Sequence, residues 1–162
     1  MSITTENTFE TAIVQSLIEK GGYTLGNASE YTIDLGFFRR DIVDFLQSSQ
    51  PAKWEKITAI HEKDVENRVL QRLYKELDLR GSLDVLRNGF TDYGIRFQMA
   101  FFKPVSGLNP DALALYAKNE LKVHRQVYVS KQNTNSVDLV ISLNGIPVAT
   151  LELKNQFTGQ NV

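Results

Sequence analysis

The spacing of hydrophobic positions changes along the chain, from a helical repeat in the first half to alternation in the second. Apolar residues recur at helical spacing from Phe9 to Leu17, and the Gly21-Gly22 pair that follows ends the predicted helix. Residues 23–36 contain Gly, Asn and Ser and show neither period, so no regular element is predicted there. Three further helices are predicted, over residues 37–50, 52–61 and 62–80.

The second half of the chain predicts strands with one short helix between them. Alternation of apolar and polar residues begins near Gly94. A helix is predicted after it, because Asn109 suits an N-cap and Pro110 the first helical position. Three strands follow, one beginning near Val123 and two in a hairpin. This order predicts one domain over residues 1–162, of mixed α/β (α+β) class, with a central mixed sheet flanked by helices.

The register of the hairpin, VDLVISLNGIPVATLELKN, decides which side chains share a face. Asn144-Gly145 is a strong signal for a two-residue turn. A regular turn of that kind would place Asp138 and Glu152 on opposite faces and would mix apolar with polar residues on each face. A shift of one residue, through a longer loop or a β-bulge, brings both carboxylates to one face. We therefore predict the shifted register and a turn that is not the simple two-residue type. The opposite face then holds Leu139, Ile141, Leu151 and Leu153.

In the shifted register, Asp138, Glu152 and Lys154 converge near one end of the hairpin. Two adjacent carboxylates repel each other unless a proton or a cation lies between them. Mg²⁺ prefers such oxygen ligands and completes its shell with water and phosphate oxygens. A nearby lysine ammonium stabilises charge on a phosphoryl oxygen. The competing interpretation is a solvated surface face whose ion pairs contribute about 0–1 kcal/mol each, and the residues by themselves favour neither.

Composition and charge exclude several classes of protein. The net charge of −1 rules out a globally basic nucleic-acid binder, so any phosphate contact must come from a local patch. The absence of cysteine excludes disulfides and thiolate metal sites. No apolar run reaches the roughly 20 residues that cross a bilayer, and the N-terminus carries no signal-peptide pattern. We expect a cytoplasmic protein with no membrane partner.

The extended hairpin resembles a known nuclease core. Asp138, followed after thirteen residues by Glu152-Leu153-Lys154, is similar to the PD-(D/E)xK motif. The segments RQVYV, SVDLVISLNGIPVATLELKN and QFTGQNV together resemble the N-terminal nuclease domain of the R (restriction) subunit of type I restriction enzymes. This close resemblance covers about residues 125–162, and the helices over residues 37–91 resemble nothing recognisable.

The resemblance implies a restriction-endonuclease-like core and Mg²⁺-dependent cleavage of double-stranded DNA, the activity of a type I site-specific deoxyribonuclease. Asp138 and Glu152 would be metal ligands, and Lys154 the catalytic lysine. It also implies modification and specificity subunits as partners, in a prokaryotic cytoplasm. ATP would serve only the family's motor domains, whose phosphate-binding loop does not occur in this sequence. We therefore expect an N-terminal part of a longer protein, with the family's Gln-x-x-x-Tyr motif beyond Val162.

Glu10 on the first predicted helix has two interpretations. It forms an N-x-x-E capping box with Asn7. It is also a candidate third metal ligand, because members of the resembled family carry an acidic residue on their opening helix. Gln126, which lies beside Arg125 in the resembling segment, has no assigned role.

One locally basic stretch offers candidate contacts to DNA phosphates. The alternative for this stretch is a solvated strand edge. Two rival functions also stay open: a PD-(D/E)xK nuclease without a motor, and a non-catalytic module that docks on the DNA backbone or on a protein. The basic candidates are Lys122, His124, Arg125 and Lys131.

Overall fold

The computed structural model describes residues 6–105, 107–132 and 134–153. Within them the helical first half and the strand-rich second half follow the predicted order, and the mixed α/β class is confirmed. The helices are α1 (Glu6–Gly21), α2 (Arg39–Ser49), α3 (Pro51–His61), α4 (Val65–Arg80), α5 (Ser82–Asn88) and α6 (Pro110–Tyr116). The strands are β1 (Thr24–Leu25), β2 (Tyr31–Thr32), β3 (Phe37–Phe38), β4 (Phe90–Asp92), β5 (Ile95–Phe97), β6 (Leu121–Tyr128), β7 (Ser136–Leu143) and β8 (Ile146–Leu151).

The main sheet has four strands in the order β1-β6-β7-β8. β6, β7 and β8 form an antiparallel meander, whereas β1 joins the edge in parallel, with Thr24 opposite Lys122. The sequence did not predict β1, because a strand of two residues is too short to show a period. No helix in the described part of the chain is long and apolar enough to span a bilayer.

The hairpin of β7 and β8 has the predicted register but not the predicted turn. Leu139 pairs with Leu151, as the shifted register requires. The turn itself has two residues, and Asn144 and Gly145 have φ values of 52° and 86°, the positive values that a type I′ turn needs. Our prediction that the turn is not of this type was therefore wrong. The shift comes instead from a β-bulge between Ile141 and Ser142, where Val148 is the extra residue on β8.

The largest hydrophobic core lies in the helical segment between α2 and β5, not under the sheet. It also takes in Ile146, the first residue of β8. Two smaller clusters flank the sheet, and one of them lies beneath α1 and contains Leu139, Leu151 and Leu153. The leucine face predicted for the hairpin therefore packs against α1.

The hairpin turn is buried against this helical segment. Nδ2 of Asn144 donates to the carbonyl of Met99 at 2.9 Å, and Oδ1 accepts from the N–H of Glu120 at 2.7 Å. The Gly145 carbonyl accepts from the N–H of Phe38 at 2.9 Å. A Cβ at Gly145 would lie 2.6 Å from Cγ1 of Ile42, so only glycine fits this contact. The end of the hairpin opposite the predicted site is thus fixed in the protein interior.

Local sequence signals predicted some ends of helices correctly and missed others. Asn109 caps α6 as expected, with its side chain accepting from the N–H of Ala112 at 3.0 Å. Gly81 ends α4 as expected. Pro51 opens α3 as well as following α2. α5 was missed because no side chain caps its start, and β4 because it has only three residues.

Candidate functional site

The carboxylate of Asp138 is held from both sides. It lies on β7, between β6 and β8. Nε2 of Gln126 on β6 donates to Oδ1 at 3.2 Å, and the N–H of Leu153, beyond β8, donates to Oδ2 at 2.6 Å. A carboxylate has about four lone-pair positions, so these two bonds orient the group and leave acceptor capacity on each oxygen. Asp138 is therefore suited to receive a cation or a further donor.

Glu152 lies one residue beyond the paired part of the hairpin. Leu139 pairs with Leu151, the last residue of β8, so Asp138 and Glu152 are the residues that flank this final pair. Their position on one face stays a prediction. Glu152 is exposed and Asp138 half-buried, so the two carboxylates border solvent. Lys154, the third member of the predicted set, lies outside the described residues.

Glu10 is buried beneath Arg125 and does not cap its helix. The residue is 4% exposed, Oε1 accepts from Nε of Arg125 at 2.5 Å, and Oε2 accepts from Nε2 of Gln126 at 2.9 Å. Asn7 lies inside α1 and accepts from Nη2 of Arg125 at 3.2 Å. The capping-box interpretation was therefore wrong. A local motif gives no sign of partners more than a hundred positions away in sequence.

Gln126 connects Glu10 with Asp138, and its backbone makes this possible. Its φ is +52°, and the β6–β7 pairing passes from Arg125–Leu139 to Val127–Val137 without pairing Gln126. Successive side chains of a regular strand point to opposite faces. Here Arg125 and Gln126 both reach Glu10, because the left-handed residue breaks the alternation.

The orientation of the Gln126 amide is also fixed. The carboxylates of Glu10 and Asp138 can only accept, so Nε2 is the end of the amide that faces them, and the Ser136 hydroxyl donates to Oε1 at 2.6 Å. The sequence placed Gln126 near the site but gave it no role. A glutamine inside a strand carries no signal that would have revealed one.

A cavity of about 430 Å³ adjoins this group and is lined by Asn7, Glu10, Arg125 and Gln126. A larger and mainly apolar cavity of about 520 Å³ lies elsewhere, beside Phe102. Among the described residues, no carboxylate lines the larger cavity, whereas Glu10 lines the smaller one.

The carboxylates near the hairpin suit Mg²⁺ better than a metal ion that is held entirely by protein ligands. Among the described residues, no group of three or more His, Asp or Glu side chains lies close enough to hold a metal ion. An all-protein cage is therefore not formed by this part of the chain. Mg²⁺ is usually bound by one or two carboxylates and keeps its remaining positions for water and phosphate. The pair Asp138 and Glu152 fits that requirement.

His124 is buried and cannot contact a phosphate, so its assignment as a DNA contact was wrong. Its ring stacks on Phe38 with centroids 3.5 Å apart, and Nε2 shares a 2.9 Å hydrogen bond with Oγ of Ser142. Burial lowers its pKa to about 4, although Asp41, with Oδ2 at 4.0 Å, acts in the other direction. His124 is therefore a neutral interior residue at pH 7.

The other basic candidates do not form one exposed patch. Nζ of Lys122 lies 2.7 Å from Oδ1 of Asp41, and Arg125 is paired with Glu10. Burial works against the charge of Lys122, but its hydrogen bonds to Asp41 and Glu120 outweigh it and raise the pKa of the ammonium. These two cations already have carboxylate partners. Lys131 is exposed but paired with Asp34, so a role in DNA binding stays a prediction.

Comparison with protein-family models identifies one family, the type I restriction enzyme R protein N terminus, which matches residues 3–162. The chain belongs to this family, and the resemblance seen in the sequence is confirmed. The match includes the helical segment over residues 37–91, which resembled nothing when taken alone. Comparison with curated proteins and with solved structures gives no match.

Proposed function

We propose that this member of the R protein N-terminal family is a Mg²⁺-dependent endonuclease domain that hydrolyses phosphodiester bonds of double-stranded DNA. The observation that carries the proposal is the pairing of Leu139 with Leu151 at the end of β8, because the same register continued by one residue would bring Asp138 opposite Glu152. Family membership is consistent with a restriction endonuclease role. The hydrogen bonds that orient Asp138 from both sides give further support.

In this proposal Asp138 and Glu152 hold Mg²⁺, which supplies Lewis acidity at a phosphoryl oxygen and lowers the pKa of water. The donors Gln126 and Leu153 keep the Asp138 carboxylate in one orientation, so its free lone pairs need no rearrangement on binding. Lys154 offsets charge that develops on the phosphate. We place Glu10 behind Asp138 and not among the first ligands, because it is buried and its charge is already paired with Arg125.

Family membership also supports a wider setting for the domain. We propose double-stranded DNA as its substrate and the modification and specificity subunits of a type I restriction complex as its partners. ATP hydrolysis belongs to motor domains, and recognition of the DNA sequence to the specificity subunit. The setting is the prokaryotic cytoplasm.

The test compares Asp138→Ala with Asp78→Ala in the assembled enzyme. Asp78 is an exposed carboxylate on α4, in the helical segment, and removing it controls for a lost surface charge. Cleavage is measured as nicking and linearisation of a plasmid that carries the recognition site, over a Mg²⁺ titration, with ATP hydrolysis followed in parallel. We expect Asp138→Ala to lose cleavage and keep ATP hydrolysis, and Asp78→Ala to match the wild type.

Cleavage by Asp138→Ala at the wild-type rate would show that the hairpin takes no part in hydrolysis of DNA. The non-catalytic docking module would then be the better description of this domain.

A further inference from the structure

We propose that Gln126 is a positioning residue for Asp138: its side-chain amide anchors the Asp138 carboxylate to the buried Glu10–Arg125 ion pair. We infer this on the premise of the proposed function, in which Asp138 is a metal ligand. Gln126 lies in the resembling segment RQVYV but is not part of the Asp138, Glu152 and Lys154 motif, and it precedes the hairpin by ten positions, counted from Gln126 to Ser136.

The hydrogen bonds around the amide match its capacity. A side-chain amide nitrogen carries two hydrogens. Nε2 of Gln126 donates to Oε2 of Glu10 at 2.9 Å and to Oδ1 of Asp138 at 3.2 Å. The carbonyl oxygen accepts from the Ser136 hydroxyl at 2.6 Å. A reversed amide would put oxygen against two carboxylates, so this arrangement permits one orientation only.

The Glu10–Arg125 ion pair, to which Gln126 connects Asp138, is itself firmly held. Glu10 is almost fully buried, and its second oxygen accepts from Nε of Arg125 at 2.5 Å. Nη2 of Arg125 donates further to Oδ1 of Asn7 and to Oγ1 of Thr11, at 3.2 and 3.3 Å. Arg125 is thus held on α1 by three side chains, those of Glu10, Asn7 and Thr11. Through Gln126, the position of Asp138 depends on the packing of α1 against the sheet.

The backbone of Gln126 points to the same role. A positive φ is uncommon for a residue with a Cβ, and such conformations persist where the surrounding structure imposes them. Gln126 has φ +52° inside a strand that is paired on both sides of it. This conformation turns its side chain to the face that Arg125 already occupies. The backbone conformation and the side-chain amide of Gln126 therefore both contribute to the connection between Glu10 and Asp138.

The test separates the amide from the backbone. Gln126→Ala and Gln126→Gly both remove the amide, but glycine adopts a positive φ without steric cost and alanine does not. Ser136→Ala keeps the amide and removes the group that orients it. Gln15→Ala is the matched control, because the Gln15 amide donates to Glu19 at 2.8 Å on the exposed surface of α1.

Affinity for Mn²⁺ is measured by electron paramagnetic resonance titration of the protein carrying the domain, without DNA, and thermal unfolding is measured in EDTA. We expect both Gln126 variants to bind Mn²⁺ about 10-fold more weakly or worse, the range found for groups that orient metal ligands. Gln126→Gly should nevertheless unfold at a higher temperature than Gln126→Ala. Ser136→Ala should weaken binding less, and Gln15→Ala should leave it unchanged.

The outcomes distinguish the two proposals. Wild-type protein that binds no Mn²⁺ would overturn the proposed function and this inference with it. Binding by the wild type that Gln126→Gly retains in full would overturn the inference alone. If neither Gln126 variant folds, unchanged affinity in Ser136→Ala overturns it. Affinity that simply follows the unfolding temperature across the variants would show a structural role in place of a positioning one.

Discussion

The backbone N–H of Leu153 donates a 2.6 Å hydrogen bond to Oδ2 of Asp138. This bond crosses from the segment after β8 to the side chain of β7, one residue beyond Glu152. It fixes the chain just after Glu152 relative to the Asp138 carboxylate. The segment that carries one proposed metal ligand is therefore attached directly to the side chain of the other.

Asp138→Asn should lower both stability and metal affinity. Asparagine has one side-chain oxygen, so it can satisfy only one of the two donors, Gln126 and Leu153. We expect a loss of about 1 kcal/mol in the free energy of unfolding, the net value of one hydrogen bond, together with loss of metal-dependent cleavage. Urea denaturation measures the first effect and plasmid linearisation the second. Asp78→Asn serves as the control, and a variant at position 138 with wild-type stability would show that these bonds contribute nothing.

Glu152→Ala and Lys154→Ala should both lose DNA cleavage, but for different reasons. Glu152 is exposed, so its removal should change the free energy of unfolding by no more than about 0.5 kcal/mol. Metal affinity should fall, because one of two carboxylate ligands is gone. Lys154→Ala keeps both carboxylates and should keep the metal, yet lose cleavage with the charge facing the phosphate. Metal titration and plasmid linearisation distinguish the two, and normal cleavage by Glu152→Ala would exclude the hairpin as the nuclease site.

The hairpin was predictable because its faces are segregated within a short stretch of sequence. Leu139 and Leu151 could be placed on one face by pattern alone, since a slip of one residue would put them on opposite faces. The turn was not predictable in the same way. A two-residue turn and a shifted register exclude each other in a regular hairpin, and only a bulge at Val148 reconciles them. The pattern of apolar and polar residues showed that the hairpin needs an irregularity in its pairing, but it did not show where that irregularity lies.

The partners of Asp138 were beyond sequence reasoning. Glu10 meets Arg125 and Gln126 only because α1 packs across the sheet, and local capping rules gave it a different partner. The left-handed conformation of Gln126 depends on the strands around it and not on its own preference. His124 looked like a member of a basic stretch, but alternation along β6 directs it into the interior.

Acid should destabilise the protein through His124. Its folded pKa is about 4, against an ordinary value of 6.5, because burial disfavours the imidazolium. Between these values the unfolded chain binds a proton that the folded chain does not, so stability is complete above pH 6.5 and falls as pH drops towards 4. The expected loss is at most about 1.4 kcal/mol per pH unit.

His124→Gln isolates this effect. Glutamine can still bond to Ser142 but does not titrate. Asp41 and Lys122, the charged groups facing the ring, are unchanged in the variant. Urea denaturation from pH 7 to pH 4 should therefore show a shallower pH dependence in the variant, and parallel curves would show that His124 is not the group responsible.

Gly26→Ala should disrupt the attachment of β1 to the sheet. A Cβ at Gly26 would lie 2.1 Å from Cε1 of His124, whose ring is fixed between Phe38 and Ser142. Overpacking of this kind costs about 1–3 kcal/mol. Gly107→Ala, where a Cβ would meet nothing, is the matched control. Thermal unfolding should separate the two variants clearly, and equal stabilities would mean that the ring moves aside freely.

The buried turn at Asn144-Gly145 has a consequence for the chemical ageing of the protein. Asn-Gly is prone to deamidation, because the unhindered glycine backbone nitrogen can attack the asparagine side-chain carbonyl and expel ammonia. The resulting succinimide is hydrolysed to aspartate or isoaspartate. In the folded chain Asn144 is 1% exposed, and both ends of its amide are hydrogen-bonded, so the side chain is kept from rotating into the attacking geometry. Deamidation at Asn144 therefore requires the chain to open. Isoaspartate at this position, detected by mass spectrometry of a stored sample, would therefore measure how often the hairpin turn opens to solvent.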